Sequence, residues 1–257
     1  MSAGFIITGT DTGVGKTVFA AALVAALGGR YWKPIQAGLD GETDSDTVRR
    51  LTAAQDLLVL GEVYRLKTPA SPHLAAERDG IEIDLARLTL PAARKPVTLA
   101  AVPTPLQRAA DETGGRSNVV TMIPRAKAGL AAVEDSGSAP AVQRPLVIEG
   151  AGGLLVPLNR QTLQIDLFES WALPVVVVAR TTLGTINHTL LTIEALRRRN
   201  VMIQGVAFVG DANEDSEDSV ANFGRVRRLG RLPFVKPLDS PSLRRAFDLS
   251  FRIEDFQ

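Results

Sequence analysis

The stretch Gly9-Thr10-Asp11-Thr12-Gly13-Val14-Gly15-Lys16-Thr17 constrains this chain more than any other. It follows an apolar run, Gly4 to Thr8, that reads as a buried strand, and it opens a second apolar run, Val18 to Leu27, that reads as a helix. Strand, glycine loop ending in Gly-Lys-Thr, and helix together make the P-loop context. Glycines let backbone N–H groups approach phosphate oxygens, and a helix N-terminus favours negative charge there. In that setting Lys16 reaches the outer phosphates and the Thr17 hydroxyl holds Mg²⁺. The strict spacing would put the first glycine at position 10; this chain has Thr10 there and its glycine, Gly9, one residue earlier.

The first helix carries Phe19, Ala22, Leu23, Ala26 and Leu27 at i, i+3, i+4 spacing, and Gly28-Gly29 ends it. Arg30 to Pro34 reads as a short strand with Lys33 at its carboxyl end. Ligands of open parallel sheets lie beyond the carboxyl ends of the strands, so Lys33 is expected to point at the same region as Lys16. The polar segment from Gly38 passes into a helix running to about Gln55, which Asp44, Ser45 or Asp46 can cap. A carboxylate from this group can instead help hold Mg²⁺. Tyr64 to Leu66 reads as a strand, a helix begins near His73, and Ile81 to Leu90 reads as a further helical stretch.

From Ala92 to Gln143 there is no Phe, Trp or Tyr, and five prolines stand among Ala, Gly and Ser. The expectation is an inserted, largely flexible segment that can be deleted without losing the fold; the alternative is a small helical lid. Order returns at Pro145-Leu-Val-Ile-Glu149, a central buried strand that ends in an acid and then turns sharply at Gly150-Ala151-Gly152-Gly153. Glu149 stands where a P-loop protein carries its second metal-holding acid. A short helix over Leu163 to Trp171 and an all-apolar strand from Pro174 to Ala179 follow. A loop from Arg180 leads to a helix from Asn187 to about Arg199, then a strand from Gln204 to Val209. An acidic loop, Gly210 to Asp218, precedes a helix near Ser219 to Phe223, a strand from Leu229 to Pro233 and a last helix from Leu243 to Leu249. Strands alternating with helices predict an α/β fold, P-loop NTPase-like, with a mostly parallel central sheet and helices on both faces.

Composition narrows the function. A formal net charge of +1, with no basic block among aromatics, argues against nucleic acid as a partner. The absence of cysteine removes disulfides, iron–sulfur clusters and a thiol nucleophile, and suits the cytoplasm. No apolar run is long enough to span a membrane, and the chain enters its first strand without a signal peptide. The expectation is a single domain, 1–257, with the segment at about 92–143 as an appendage.

The chain resembles the dethiobiotin synthetase family. The resemblance rests on Gly9 to Thr17, Lys33-Pro-Ile-Gln-Ala-Gly38, Asp44-Ser-Asp46 and Ser71-Pro-His-Leu-Ala-Ala76. It continues in Val147-Ile-Glu-Gly-Ala-Gly-Gly-Leu-Leu-Val-Pro157 and Leu183-Gly-Thr-Ile-Asn-His188. It implies carboxylation of 7,8-diaminononanoate by CO₂, phosphorylation of the carbamate by ATP, and closure of the cyclic urea, with ADP and phosphate released. It implies ATP as co-substrate and Mg²⁺ as cofactor, with Thr17, Asp46 and Glu149 as metal ligands. The nucleotide site would comprise Gly13, Val14, Gly15, Lys16, Thr17, Val18, Asp46, Glu149, Gly150, Ala151 and Gly152. Lys16 and Lys33 would be catalytic, stabilising charge on the carbamate and the moving phosphoryl group. Ala37, Gly184 and Asn187 would bind the diamine, the last two from the partner subunit of a homodimer. Two positions depart from the family pattern. Ala37 replaces a frequent Ser or Thr, and Val209 stands near a frequent Asn that reads adenine.

The competing reading is a nucleotide-switched partitioning or positioning ATPase of the same fold. Those proteins open the loop with an extra lysine, and this chain has Asp11 in its place. An amidating synthetase of the cobyrinate type needs a glutaminase cysteine, which is absent.

Overall fold

In the computed structural model the described residues are 4–53, 58–92 and 144–256. The expected insertion at 92–143 therefore lies outside the described residues apart from Ala92, as does the expected helix end near Gln55.

Apolar β-branched runs with no polar alternation belong in strands covered on both faces. Here they build the main sheet from β1 (Gly4–Gly9), β2 (Arg30–Trp32), β5 (Leu146–Gly153), β6 (Val175–Arg180), β7 (Ile203–Val209) and β8 (Arg228–Leu232). The order is β2-β5-β1-β6-β7-β8, and each neighbouring pair is parallel. A second parallel pair joins β3 (Ile35–Ala37) to β4 (Tyr64–Leu66). Helices α1 (Lys16–Leu27), α2 (Asp44–Thr52), α3 (Pro72–Asp79), α4 (Gln164–Trp171), α5 (Thr185–Arg198), α6 (Glu214–Gly224) and α7 (Ser240–Ser250) fill the connections.

The period of two along each strand divides the core between the faces. Phe5, Ile7, Tyr31, Val147, Val176 and Val178 pack toward α1, α2 and α7. Ile6, Trp32, Ile148, Val175 and Val177 pack toward residues of α3, α4, α5 and α6, among them Ala75, Phe168, Ile193 and Val220. Helix α1 is apolar nearly all round because it is covered twice: Phe19 through Val24 are buried. Its outer cover is aromatic. Phe247 of α7 and Phe251, just past its end, stack at 4.8 Å, and Phe247, Phe251 and Phe256 each pack on Phe19. Burial of each such ring contributes roughly 1.5–3 kcal/mol. The C-terminal tail thus clamps the helix that carries the phosphate loop.

Several expectations need correction. Ile81 to Leu90 is not helical beyond one 3₁₀ turn, Leu85–Arg87. The Tyr64 hydroxyl accepts from the Asp84 backbone N–H at 2.8 Å and the Asp84 side chain accepts from Ala86 N–H, which holds the chain out of a helix. Helix α5 starts at Thr185, two residues early, capped by Gly184 at φ 93°. Helix α6 starts at Glu214 inside the expected loop, because the Asn213 side chain accepts from Ser216 N–H and caps it. Strand β3 was not foreseen from the sequence; Pro34 precedes it and breaks β2 from it.

Candidate active site

Four parallel strands, β1, β2, β5 and β6, end at one edge of the sheet, where open α/β folds place their ligands. The phosphate loop leaves β1 there. Gly13 (φ 68°) and Gly15 (φ 97°) adopt the left-handed backbone that a side chain disfavours. A Cβ at Gly15 would lie 2.8 Å from Val209 Cγ1, so close packing under the loop also demands glycine. Val14 is buried and anchors the loop in the α1-side core, with Val18 partly buried against it. Lys16 Nζ donates to the Asp11 carbonyl at 2.9 Å.

Strand alternation puts Tyr31, Val147 and Glu149 on the face that α1 covers. Glu149 is 1% exposed. Its Oε1 lies 2.8 Å from Thr17 Oγ1 and 3.3 Å from Lys33 Nζ, and its Oε2 accepts from the Tyr31 hydroxyl at 2.8 Å. Lys33 is buried at the exit of β2; its Nζ sits 2.5 Å from Asp44 Oδ2 and 3.4 Å from the Gly150 carbonyl. Asp44 Oδ1 lies 3.1 Å from Thr17 Oγ1, which closes the cluster.

Asp46 is elsewhere. Helix α2 is capped by Thr43, whose side chain accepts from Asp46 N–H while the Asp46 carboxylate accepts from Thr43 N–H at 3.2 Å. Asp46 also pairs with Arg49 at 2.9 Å on the surface. The expected pair of acids therefore resolves differently: Asp44, one position into the helix, faces the loop, and Asp46, two further on, serves the cap.

The glycine run after Glu149 threads between the phosphate loop and α4. Gln164 grips it from both sides, accepting from Ala151 N–H at 2.6 Å and donating to the Gly153 carbonyl at 3.1 Å. A Cβ at Gly150 would meet Gln164 and Phe168 at 2.8 Å, and one at Gly152 would meet Thr12 Oγ1 at 3.2 Å. Ala37 ends β3, partly buried against the core, and its carbonyl accepts from Gln36 Nε2. Gly184 and Asn187 are exposed at the start of α5, and among the described residues no hydrogen bond joins them to the Lys33 cluster. Arg180, at the end of β6, donates to the Thr12 carbonyl at 3.1 Å and braces the loop from outside. Sequence reasoning missed Asp44 as the inward acid, Tyr31 and Arg180; the only available signal for Arg180 was its place at a strand end.

The electrostatics separate the two lysines. The Lys16 pKa falls from 10.5 to about 8: burial, the largest cause, and the charge of Lys33 lower it, against the opposing pull of Glu149 and Asp44. Burial also acts to lower Lys33, but Glu149 and Asp44 outweigh it and its pKa ends above the ordinary lysine value. Burial would raise the Asp44 carboxyl, yet Lys33 and Thr17 hold it below its ordinary range. Burial, then the charge of Glu149, push the Tyr31 phenol well up, so it keeps its proton and donates.

The donors that converge on Thr17, one hydroxyl and two carboxylates, are hard oxygens of the kind Mg²⁺ takes. Among the described residues no group of three or more His, Cys, Asp or Glu forms a metal cage. Among the described residues no helix is long and apolar enough to cross a membrane.

Comparison with known proteins agrees with this architecture. A family model described as an AAA domain matches residues 3–111 and 95–242. An ATP-dependent dethiobiotin synthetase of Rhodopseudomonas palustris (strain TIE-1) is 48% identical over 256 residues, covering 100% of this chain and 98% of its own. One from Novosphingobium aromaticivorans is 50% identical over 252 residues, 98% of each chain, and one from Brucella ovis is 45% identical over 256 residues, 100% of this chain and 98% of its own. A solved structure, the MinC:MinD cell division protein complex of Aquifex aeolicus, aligns with a TM-score of 0.46 at 10% identity over 95% of this chain and 86% of that one, too slight a likeness to argue from. At this identity and coverage the chain belongs to the ATP-dependent dethiobiotin synthetase family, on a P-loop fold.

Proposed function

We propose that this chain closes the cyclic urea of dethiobiotin from 7,8-diaminononanoate, CO₂ and ATP, as its family name and site geometry together suggest. The observation that carries the reading is the buried Lys33 ammonium meeting Asp44 and Glu149 beside Thr17, at the edge where the phosphate loop also presents Lys16. Phosphoryl transfer asks a protein mainly for positioning and for charge stabilisation. One amine of the diamine adds to CO₂ and loses a proton, giving a carbamate. A carbamate oxygen attacks the γ-phosphorus of ATP and ADP leaves. The second amine then attacks the carbamoyl carbon, and phosphate departs as the ring closes.

Each residue has a part in that sequence. The backbone N–H groups of Gly13 to Thr17 and the Lys16 ammonium would cradle the phosphates. Lys33 would sit between the carbamate and the γ-phosphate, where two anions must approach. Thr17, Asp44 and Glu149 would hold Mg²⁺, which when bound neutralises charge on the β- and γ-phosphates. Asp44 takes the metal role expected of Asp46 because only Asp44 reaches Thr17. Gly150 to Gly152 would line the nucleotide, their shape kept by Gln164.

The same reading makes the protein a cytoplasmic homodimer. Asn187 and Leu191 share one face of α5 by i, i+4 spacing; Leu191 is exposed, and so, wholly, is Leu183 just before the helix. An apolar surface of that kind suits a partner subunit, across which Gly184 and Asn187 would reach the diamine carboxylate.

Incubating the protein with the diamine, bicarbonate, Mg²⁺ and ATP tests the reading. Stoichiometric cyclic urea and ADP are expected; ATP hydrolysis without urea would overturn it.

A further inference from the structure

Glu149 uses its two oxygens for different purposes. Oε1 faces Thr17 and Lys33; Oε2 is turned back into the core, where the Tyr31 hydroxyl donates to it at 2.8 Å. Among the described residues the phenol is the only hydrogen-bond donor to Oε2. Tyr31 is wholly buried on β2, and its neighbour across the strand pair is Val147, so the ring lies alongside β5 and the hydroxyl reaches forward to residue 149. The ring cannot move away without disturbing the α1-side core in which it is packed.

We infer that Tyr31 is a positioning residue that restricts Glu149 to offering one oxygen to the metal, and thereby favours Mg²⁺ over Ca²⁺. The inference rests on the metal-assisted reading above. Mg²⁺ requires a near-octahedral shell of single oxygens, whereas Ca²⁺ readily takes a carboxylate through both oxygens in a larger, looser shell. A carboxylate with one oxygen bonded to a buried phenol is not free to turn both toward an ion. Outer partners of this sort fix the orientation of ligands, and their loss typically weakens metal binding about 10–100-fold. Nothing in the sequence pattern marks Tyr31 for this task, since a strand tyrosine facing the core reads as packing.

Tyr31→Phe keeps the ring and removes the donor. Mn²⁺ binding in the presence of ADP, followed by electron paramagnetic resonance, reads the site without turnover. The expected result is about tenfold or greater weakening of Mn²⁺, a several-fold shift of the Mn²⁺/Ca²⁺ competition toward Ca²⁺, and unchanged affinity for ADP without metal. Unchanged Mn²⁺ affinity and an unchanged competition ratio would overturn the inference. Failure of the unaltered protein to bind Mn²⁺ with ADP would overturn the metal reading itself, and the inference with it. A second measurement needs no variant: the infrared difference spectrum of protein labelled with ¹³C-glutamate, on adding Mg²⁺ or Ca²⁺ with ADP. One-oxygen ligation with both ions is expected; a two-oxygen signature with Ca²⁺ would overturn the role of Tyr31.

Discussion

Lys33 and Asp44 form the shortest link in the site, Nζ to Oδ2 at 2.5 Å, and that link joins the exit of β2 to the first turn of α2. It makes two acids that are adjacent but for one serine chemically distinct. Asp44→Asn should cut turnover by about a hundredfold or more, as expected when a group that stabilises transferring charge is lost, and should weaken Mn²⁺ binding in the presence of ADP. Asp46→Ala should leave turnover nearly intact and lower stability by up to about 1 kcal/mol, since the Thr43 cap survives and only the return bond to the Thr43 N–H is lost. Steady-state kinetics and denaturant unfolding on the two variants check this. A catalytic loss in Asp46→Ala with none in Asp44→Asn would return the metal role to Asp46.

Removing the cation has a different signature. Lys33→Ala leaves Glu149 buried without its ammonium, and breaking such a pair costs up to about 3–5 kcal/mol. The figure is an upper one, because the Asp44 side chain is 34% exposed and water screens it. Turnover should fall by about a thousandfold or more while nucleotide still binds. A divalent ion should then offset the uncompensated charge, so Mg²⁺ with ADP should raise the melting temperature of the variant more than that of the unaltered protein. Thermal melts with and without the pair measure this; equal shifts in both proteins would remove Lys33 from the metal site.

Lys16 predicts a pH effect. Its folded pKa of about 8 lies below the ordinary 10.5, so between these values the unfolded chain carries a proton that the folded chain lacks. Stability therefore gains from this group as pH rises through that window, and the cost of burying the charge is fully present below pH 8. Phosphates favour the ammonium, so nucleotide binding above pH 8 must take up a proton. Affinity for ADP should fall as pH rises from 8 to 9.5, by up to about tenfold per unit. Calorimetry at pH 8.5 in two buffers of different ionisation enthalpy should show net proton uptake on ADP binding, and none would mean that Lys16 is already charged there.

What the sequence disclosed and what it hid divide along the same residues. The phosphate loop was legible because glycine spacing and a following apolar run leave few alternatives, and Glu149 because an apolar strand stopped on an acid. Asp44 and Asp46 were not separable, since both suit the first turn of a helix and only the identity of the cap, Thr43, tells them apart. Ile83, Leu85, Leu88 and Leu90 misled because their spacing fits an extended segment as well as a helix, and the bond from Asp84 N–H to the Tyr64 hydroxyl decided between them. The clamp of Phe247, Phe251 and Phe256 on Phe19 joins residues over 200 positions apart, which local periodicity cannot report.

Val209 bears on which nucleotide the protein uses. The family often places an Asn near this point to read adenine, but here the side chain is packed beneath Gly15 of the phosphate loop. A side chain so placed supports the loop, which every nucleoside triphosphate shares, and has no polar atom with which to distinguish a base. Val209→Ala removes two methyl groups from a half-buried contact worth roughly 1 kcal/mol; if the loop is loosened by that much, affinity falls by at most about fivefold. That loss should be the same for ATP, GTP and CTP, leaving their ratios as they were. Measuring KM for the three donors on the variant and on the unaltered protein decides the matter: a changed ratio would mean that Val209 touches the base, and an unchanged one that discrimination lies with other atoms of the site.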